Sequence, residues 1–361
     1  MKNIYVHLSE LLKEKKQVAL ATIIEATGST PQVPGASAIF SSERLLAGTL
    51  GGGLLEGDAL KRAQDSLKRG GSLLYPFNLN ADISSGEESI CGGQVRILLD
   101  VSPMKHEHVF NDLHQSFLRR KPGLLSTWIK EFSGGSISIF RNWIESNEKS
   151  LANLGKPLSI LKDHIVKALA EEKPVLVKMQ KRQREVKESL FFLEPVIPLP
   201  RLVIAGAGHV ARAVAHLGNF LDFEVTVIDD RSEFADRENI PDADHVIVDQ
   251  IAQAITKFPV GPDTYLVIVT RGHHYDAEAL RECIASDAAY IGMIGSARKV
   301  KLMREKFLER GWASEEQFDR IHAPIGLDIG SKTVEEIALS IAAQLVEVRS
   351  QIRERRKGRC W

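Results

Sequence analysis

Three cysteines, at positions 91, 283 and 360, are too few and too scattered for a disulfide framework, a tetrahedral zinc site or an iron–sulfur cluster. Neither sign of charge is in excess: 47 basic residues balance 47 acidic ones, which argues against a nucleic-acid or anionic-membrane partner that needs a basic field. The one basic exception, Arg349 to Arg359, reads as a solvated helix end. No run approaches eighteen consecutive apolar residues, and MKNIYVHLSELLKEKKQ reads as a charged amphipathic helix rather than a signal peptide. These absences leave a soluble globular chain, expected in the cytoplasm, whose 361 residues suffice for two domains at roughly 150 residues each.

What is present is concentrated in RLVIAGAGHVARAVAHLGNFLDFEVTVIDDR, residues 201–231: a strand, a glycine turn, a helix, a second strand and an acid pair. The fingerprint is Gly206-x-Gly208-x-x-Ala211. Gly206 permits the tight turn, and Gly208 lets the backbone approach a phosphate at the N-terminus of the following helix. Asp229 and Asp230 lie at the distance where a carboxylate meets a ribose diol, whereas Arg231 suits a 2′-phosphate, so NAD and NADP both remain open. Strands expected at 201–205, 223–228, 244–248, 264–270 and 289–294 alternate with helices, predicting a doubly wound parallel sheet. Thr333-x-x-Glu336 predicts a capping box for the closing helix, whose Ile337, Ile341, Leu345 and Val348 share one face.

The preceding residues read differently. Expected strands at 17–27 and 36–42 flank the loop GSTPQVPG, whose prolines forbid helix and central strand. Gly48 to Gly53 then predict a mobile glycine loop feeding a helix with apolar Leu54, Leu55, Ala59, Leu60, Ala63 and Leu67. Further strands (SLLYPFNL, QVRILLDVS, 123–130, 135–141), helices at 107–119 and 158–171, and a hairpin of PVLVKMQ with SLFFLEP complete a mixed α/β domain. LATIIEA…GASAIF is faintly echoed by LLSTWIKE…GSISIF. The prolines of LEPVIPLP mark the boundary, giving domains 1–197 and 198–361.

Ligands of open α/β sheets sit at the carboxyl ends of the strands. There the sequence places the Gly206 turn with His209, then Thr270-Arg271-Gly272-His273-His274-x-Asp276, then Gly295-Ser296-x-Arg298-Lys299, and the loop Pro324–Gly330. Arg271, Arg298 and Lys299 suit a phosphorylated ligand, while glycines also serve tight turns without any ligand. His273, His274 and Asp276 make a poor metal site, because adjacent histidines diverge and a fourth ligand is missing. In the first domain the candidates are Glu56, the backbone of Gly51, Gly52 and Gly53, and Cys91. The two glycines after Cys91 leave its thiol little steric cover, so it is either a metal- or sulfur-handling thiolate or a small buried apolar residue. Cys283 reads as core.

Eight ordered blocks, GSTPQVPGA, GTLGGGLLEGDA, CGGQVRILLD, LVIAGAGHVARAVA, DDR, VIVTRGHHYDAEAL, YIGMIGSARK and PIGLDIGSKTVEEIALSIAAQLV, resemble the xanthine dehydrogenase accessory protein family, also called the XdhC/CoxI family. The resemblance implies a cytoplasmic, commonly dimeric protein that binds molybdenum cofactor, protects it and delivers it to a molybdenum hydroxylase such as xanthine dehydrogenase. Often the cofactor receives its terminal sulfur meanwhile, which brings in a cysteine desulfurase as partner. It implies Cys91 as a molybdenum contact with Glu56 and Gly51–Gly53 around it, and Gly206, Gly208, His209, Asp229, Asp230, Arg271, Gly295, Ser296 and Arg298 around the phosphate end. One departure stands out: the family's Gly-Gly-Cys-x-Glu carries Leu54 at the cysteine position here, while Glu56 stays, so either Cys91 alone contacts molybdenum or this is a divergent member whose ligand or client differs. The alternatives are an NAD(P)-dependent oxidoreductase and a nucleotide-sensing partner of the hydroxylase.

Overall fold

Nine residues rich in small and β-branched side chains, Ala19–Thr27 (β1), form the central strand of an antiparallel sheet whose order is β3-β2-β1-β5-β4. Its other strands are Ser37–Phe40 (β2), Leu45–Gly48 (β3), Leu73–Asn78 (β4) and Gln94–Asp100 (β5). The structure, a computed structural model, describes residues 3–79, 93–179 and 185–357. Their fold separates into two compact units, Met1–Pro198 and Leu199–Cys360.

In the first unit, Ala19, Ala21 and Ile23 of β1 pack against Leu55, Ala59 and Ala63 of the helix Gly53–Arg69 (α2). The helical spacing of those three residues matches one buried face. The opposite face of the sheet meets the helices Ile4–Lys13 (α1) and Glu107–Leu118 (α3), joined by stacking of Tyr5 on Phe110. It also meets a second antiparallel sheet, in the order β7-β6-β9-β8, formed by Gly123–Phe132 (β6), Ile137–Glu145 (β7), Val175–Lys178 (β8) and Val186–Val196 (β9). The echoed segments are thus an antiparallel pair in each sheet, β1 with β2 and β6 with β7. The short helix Glu148–Ala152 (α4) follows β7. The expected helix over 158–171 is a 3₁₀ turn, Leu158–Leu161, leading into Lys162–Glu171 (α5), which covers the second sheet through Ile165 and Ala168.

Two buried polar clusters fasten this unit. Arg141 pairs with Asp100, each 2% exposed. Tyr5 donates to Glu194 at 2.5 Å, and Glu194 lies 3.9 Å from where a side chain on Gly35 would begin, under the proline loop. Burial pushes the Glu194 carboxyl up to about 7, against the hydrogen bond from Tyr5 and the charge of Arg141.

The second unit is a five-stranded parallel sheet in the order β12-β11-β10-β13-β14: Arg201–Ala205 (β10), Glu224–Asp229 (β11), His245–Val248 (β12), Thr264–Ile268 (β13) and Tyr290–Met293 (β14). Fully buried central strands account for the apolar runs read as strands. One face carries His209–Phe220 (α6) and the closing Val334–Lys357 (α11). The other carries Ile251–Lys257 (α7), His273–Cys283 (α8), Ala297–Glu309 (α9) and Glu315–Asp319 (α10). This is the Rossmann-type, doubly wound arrangement the sequence predicts. The capping box forms as expected: Glu336 accepts the N–H groups of Thr333 and Lys332, and Thr333 accepts that of Glu336. Cys283 is core, its thiol pushed up to about 12 by burial. Among the described residues no helix is long and apolar enough to cross a membrane.

Candidate functional site

In the first unit the glycine turn between β3 and α2 is built by one carboxylate. Gly51, Gly52 and Gly53 have φ of 110°, 75° and 57°, a left-handed run that side chains resist. Glu56, in the first turn of α2, folds back over this run. Its Oε1 accepts the Thr49 hydroxyl at 2.5 Å and the N–H groups of Leu50 at 2.9 Å and Gly52 at 3.0 Å. Thr49 Oγ1 in turn accepts the N–H of Gly51. Partial burial opposes ionisation of Glu56, but these hydrogen bonds outweigh it and hold the carboxyl below its ordinary range. The loop expected to be mobile is therefore tied, because a fixed acceptor satisfies its donors. Glu56 is an ionised acceptor rather than a proton donor at neutral pH.

The proline loop connecting β1 to β2 closes on the same turn. A Cβ on Gly51 would lie 2.7 Å from Pro31, and one on Gly93 would lie 2.3 Å from the Ser29 carbonyl oxygen. Three separate sequence blocks thus meet at one end of the first sheet. Leu54, where the family resemblance leads one to expect cysteine, is 44% exposed, and Val33 is 68% exposed. Cys91, two residues before Gly93, lies outside the described residues, as does Cys360. Thr49 and Pro31 lie in blocks that the sequence reading marks, but it singles out neither as a site residue. The readable signal was a hydroxyl residue just before a glycine run that is followed by an acid in the next helix's first turn.

In the second unit Gly206 has φ of 113°, and its missing Cβ would sit 2.5 Å from the Val269 carbonyl oxygen. Gly208, by contrast, caps α6 at an ordinary φ of −74° and faces nothing within 4 Å. Its hydrogen therefore leaves open space at a helix N-terminus, which is the geometry for a phosphate. His209, the first residue of α6, is exposed beside it.

Asp229 closes this turn from the end of β11. Oδ2 accepts the Ala207 N–H at 2.8 Å and an Arg231 terminal nitrogen at 2.9 Å, and Oδ1 accepts the Arg231 N–H at 3.0 Å and Nε at 2.8 Å. Burial opposes its ionisation, yet these donors hold the carboxyl below its ordinary range. Asp230 is more exposed and bonded at 3.1 and 2.9 Å to the two terminal nitrogens of Arg271. Since β11 and β13 flank β10, this pair joins the loops on either side of the Gly206 turn.

The next two loops are also fastened. Fully buried Asp276 accepts the Thr270 hydroxyl at 2.6 Å and Lys299 Nζ at 2.6 Å, so Lys299, expected among the phosphate cations, braces α8 against the β14 loop. Ser296 caps α9 by accepting the Lys299 N–H, next to Gly295, while Arg298 is exposed. His274 turns away to Glu278, and among the described residues no three His, Cys, Asp or Glu gather as a metal cage. Gln344 of α11 accepts the Gly326 N–H and the Tyr290 hydroxyl, anchoring the Pro324–Gly330 loop.

With this geometry in place, the known proteins that match can be weighed. The XdhC Rossmann domain signature covers residues 202–345, and that of the XdhC and CoxI family covers residues 11–78. A Bacillus subtilis protein named as a probable xanthine dehydrogenase subunit is 25% identical over 98% of this chain and 99% of its own length. The uncharacterized protein YqeB of Escherichia coli is 36% identical over 42% of this chain, a match spanning 28% of that relative. The molybdenum cofactor insertion chaperone PaoD of Escherichia coli is 24% identical over 42% of this chain and 41% of its own. A solved structure described as a xanthine dehydrogenase of Bacillus halodurans shares the fold, with a TM-score of 0.70, 24% identity and 96% of each chain covered. Signatures at both ends of the chain, on the glycine turn of each unit, place this protein in the XdhC and CoxI family.

Proposed function

We propose that this protein is an accessory factor in the maturation of a molybdenum hydroxylase, binding molybdenum cofactor as cargo and delivering it to a client such as xanthine dehydrogenase. Family membership supports the reading, together with relatives named as a molybdenum cofactor insertion chaperone and as part of a xanthine dehydrogenase. The observation that carries it is the open α6 N-terminus at Gly208, with Arg231 and Arg271 beside it. A pterin cofactor ends in a phosphate, and helix N–H groups with nearby guanidinium ions suit that anion. The cofactor's own dithiolene holds its metal, so no protein cage is required. In the first unit Cys91 is the proposed thiol for molybdenum or its terminal sulfur, and the Glu56-organised turn of Gly51–Gly53 is a further proposed contact for the cofactor. A cysteine desulfurase as sulfur donor and a second copy of the chain belong to the same reading, and co-purification and light scattering check them.

Anaerobic incubation of the protein and its Cys91→Ser variant with molybdenum cofactor, followed by desalting, tests the reading through retained molybdenum and pterin fluorescence. Stoichiometric retention, lost in the variant, is expected. No retention by either protein overturns it and favours the second reading, an NAD(P)-dependent oxidoreductase, for which the Rossmann-type sheet is the supporting observation.

A further inference from the structure

The carboxylate at the end of β11 is the group that holds a ribose diol in many dinucleotide-binding sheets. Here it is used up. A carboxylate has about four lone-pair sites, and Asp229, 2% exposed, fills them with the Ala207 N–H and three donors from Arg231. No edge remains for a diol.

The guanidinium groups are the reverse case. Each has about five N–H donors; Arg231 spends two of its side-chain donors on Asp229, and Arg271 spends three on Asp230 and the Tyr275 hydroxyl. Each sits over an aromatic ring, Arg231 on Phe234 at 4.1 Å and Arg271 on Tyr275 at 4.3 Å, which limits its swing. Both remain partly exposed, at 24% and 34%. They are close enough for the charge of Arg271 to oppose that of Arg231, although Asp229 keeps Arg231 firmly protonated. Two oriented cations with unspent donors, standing at the ends of the strands on either side of a phosphate-type turn, form an anion clamp.

We infer that the mouth of the second unit takes a phosphate monoester dianion between Arg231 and Arg271, in preference to a free ribose diol, with Asp230 as the placeholder that the dianion displaces. This rests on the reading that the α6 turn receives a phosphorylated ligand. Displacement is cheap because exposed ion pairs contribute little. The monoester comes from one of two sources, the terminal phosphate of a pterin cofactor or the 2′-phosphate of a dinucleotide.

Calorimetric titration of the full chain with two matched pairs separates these sources: NADPH against NADH, and the oxidised pterin of molybdenum cofactor with and without its phosphate. In at least one pair the monoester should bind at least about tenfold more tightly, as expected for new charge-assisted hydrogen bonds. Arg271→Ala should erase that preference, and Asp230→Asn should strengthen monoester binding severalfold. Arg231→Lys, which keeps a charge beside Asp229, should weaken monoester binding, with thermal melting confirming a folded chain. No preference in either pair, an intact preference in Arg271→Ala, or weaker monoester binding in Asp230→Asn overturns the inference. Because the nucleotide pair contains no molybdenum, loss of cofactor retention together with a standing NADPH preference would remove the proposed function and leave this subsite intact.

Discussion

The two glycine turns solve one problem in different ways. Each opens a helix and each is closed by a carboxylate, but Glu56 comes from the helix that its own turn feeds, whereas Asp229 comes from the neighbouring strand β11. The first closure is local. The second exists only because β11 pairs with β10 in the register that sets Ala205 beside Ile228, bringing Asp229 level with the turn. The glycines differ as well. Gly206 is required by a backbone oxygen pressed against it, while Gly208 leaves space that nothing in the unit fills. Glycine in the fingerprint thus records steric necessity at one position and open space at the other.

Substituting those two residues separates the roles most sharply. Gly206→Ala should cost about 3 kcal/mol or more, because a Cβ 2.5 Å from an oxygen at positive φ strains both contact and backbone. A denaturant midpoint unchanged within error would show that the turn yields. Glu56→Ala should cost roughly 2 kcal/mol by stranding the Thr49 hydroxyl and two N–H groups, and Glu56→Gln less, since an amide oxygen still accepts.

The pH dependence distinguishes Glu56 from Glu194. Glu56 has a lowered pKa in the folded chain, so its contribution is present above the ordinary value of 4.5 and is lost as pH falls through the folded value. Glu194, raised to about 7, acts oppositely: the folded chain holds a proton that the unfolded chain releases above 4.5, so stability declines from 4.5 to about 7. Glu194→Gln should remove that decline, on the order of 1–3 kcal/mol at pH 8, and the advantage should vanish below pH 4.5. Equal pH profiles for the variant and the parent would place the titration elsewhere. The smallest effect on stability is expected for Gly208→Ala, within about 0.5 kcal/mol, since the added methyl meets open space. Its cost should fall on ligand binding instead, and a variant that binds as tightly as the parent would remove the phosphate from that turn.

The second unit was largely legible because its strands are buried on both faces and its helices amphipathic, so period and punctuation both register in sequence. Its capping box and core Cys283 were equally plain. The first unit was legible only as elements: the short strand Leu45–Gly48 runs straight into the glycine loop that masks its end, and nothing local says that β6 to β9 form a sheet of their own. Among site residues, Lys299 shows the limit. A lysine after a strand resembles a phosphate cation, yet its partner Asp276 lies 23 positions earlier on another helix.

By itself, then, the sequence determined the doubly wound parallel sheet, the glycine turn at Gly206–Gly208, the family, and the division between a mixed first region and a Rossmann-type second one. These follow from periodicity and steric rules that act over a few residues. Tertiary structure alone decided which charges are spent and which are available. Asp229 and Lys299 are consumed internally, Glu56 is a structural acceptor, and Arg231 and Arg271 keep donors to spare. Hydrogen-bonding capacity is settled by neighbours distant in sequence, and a one-dimensional spacing carries no account of them.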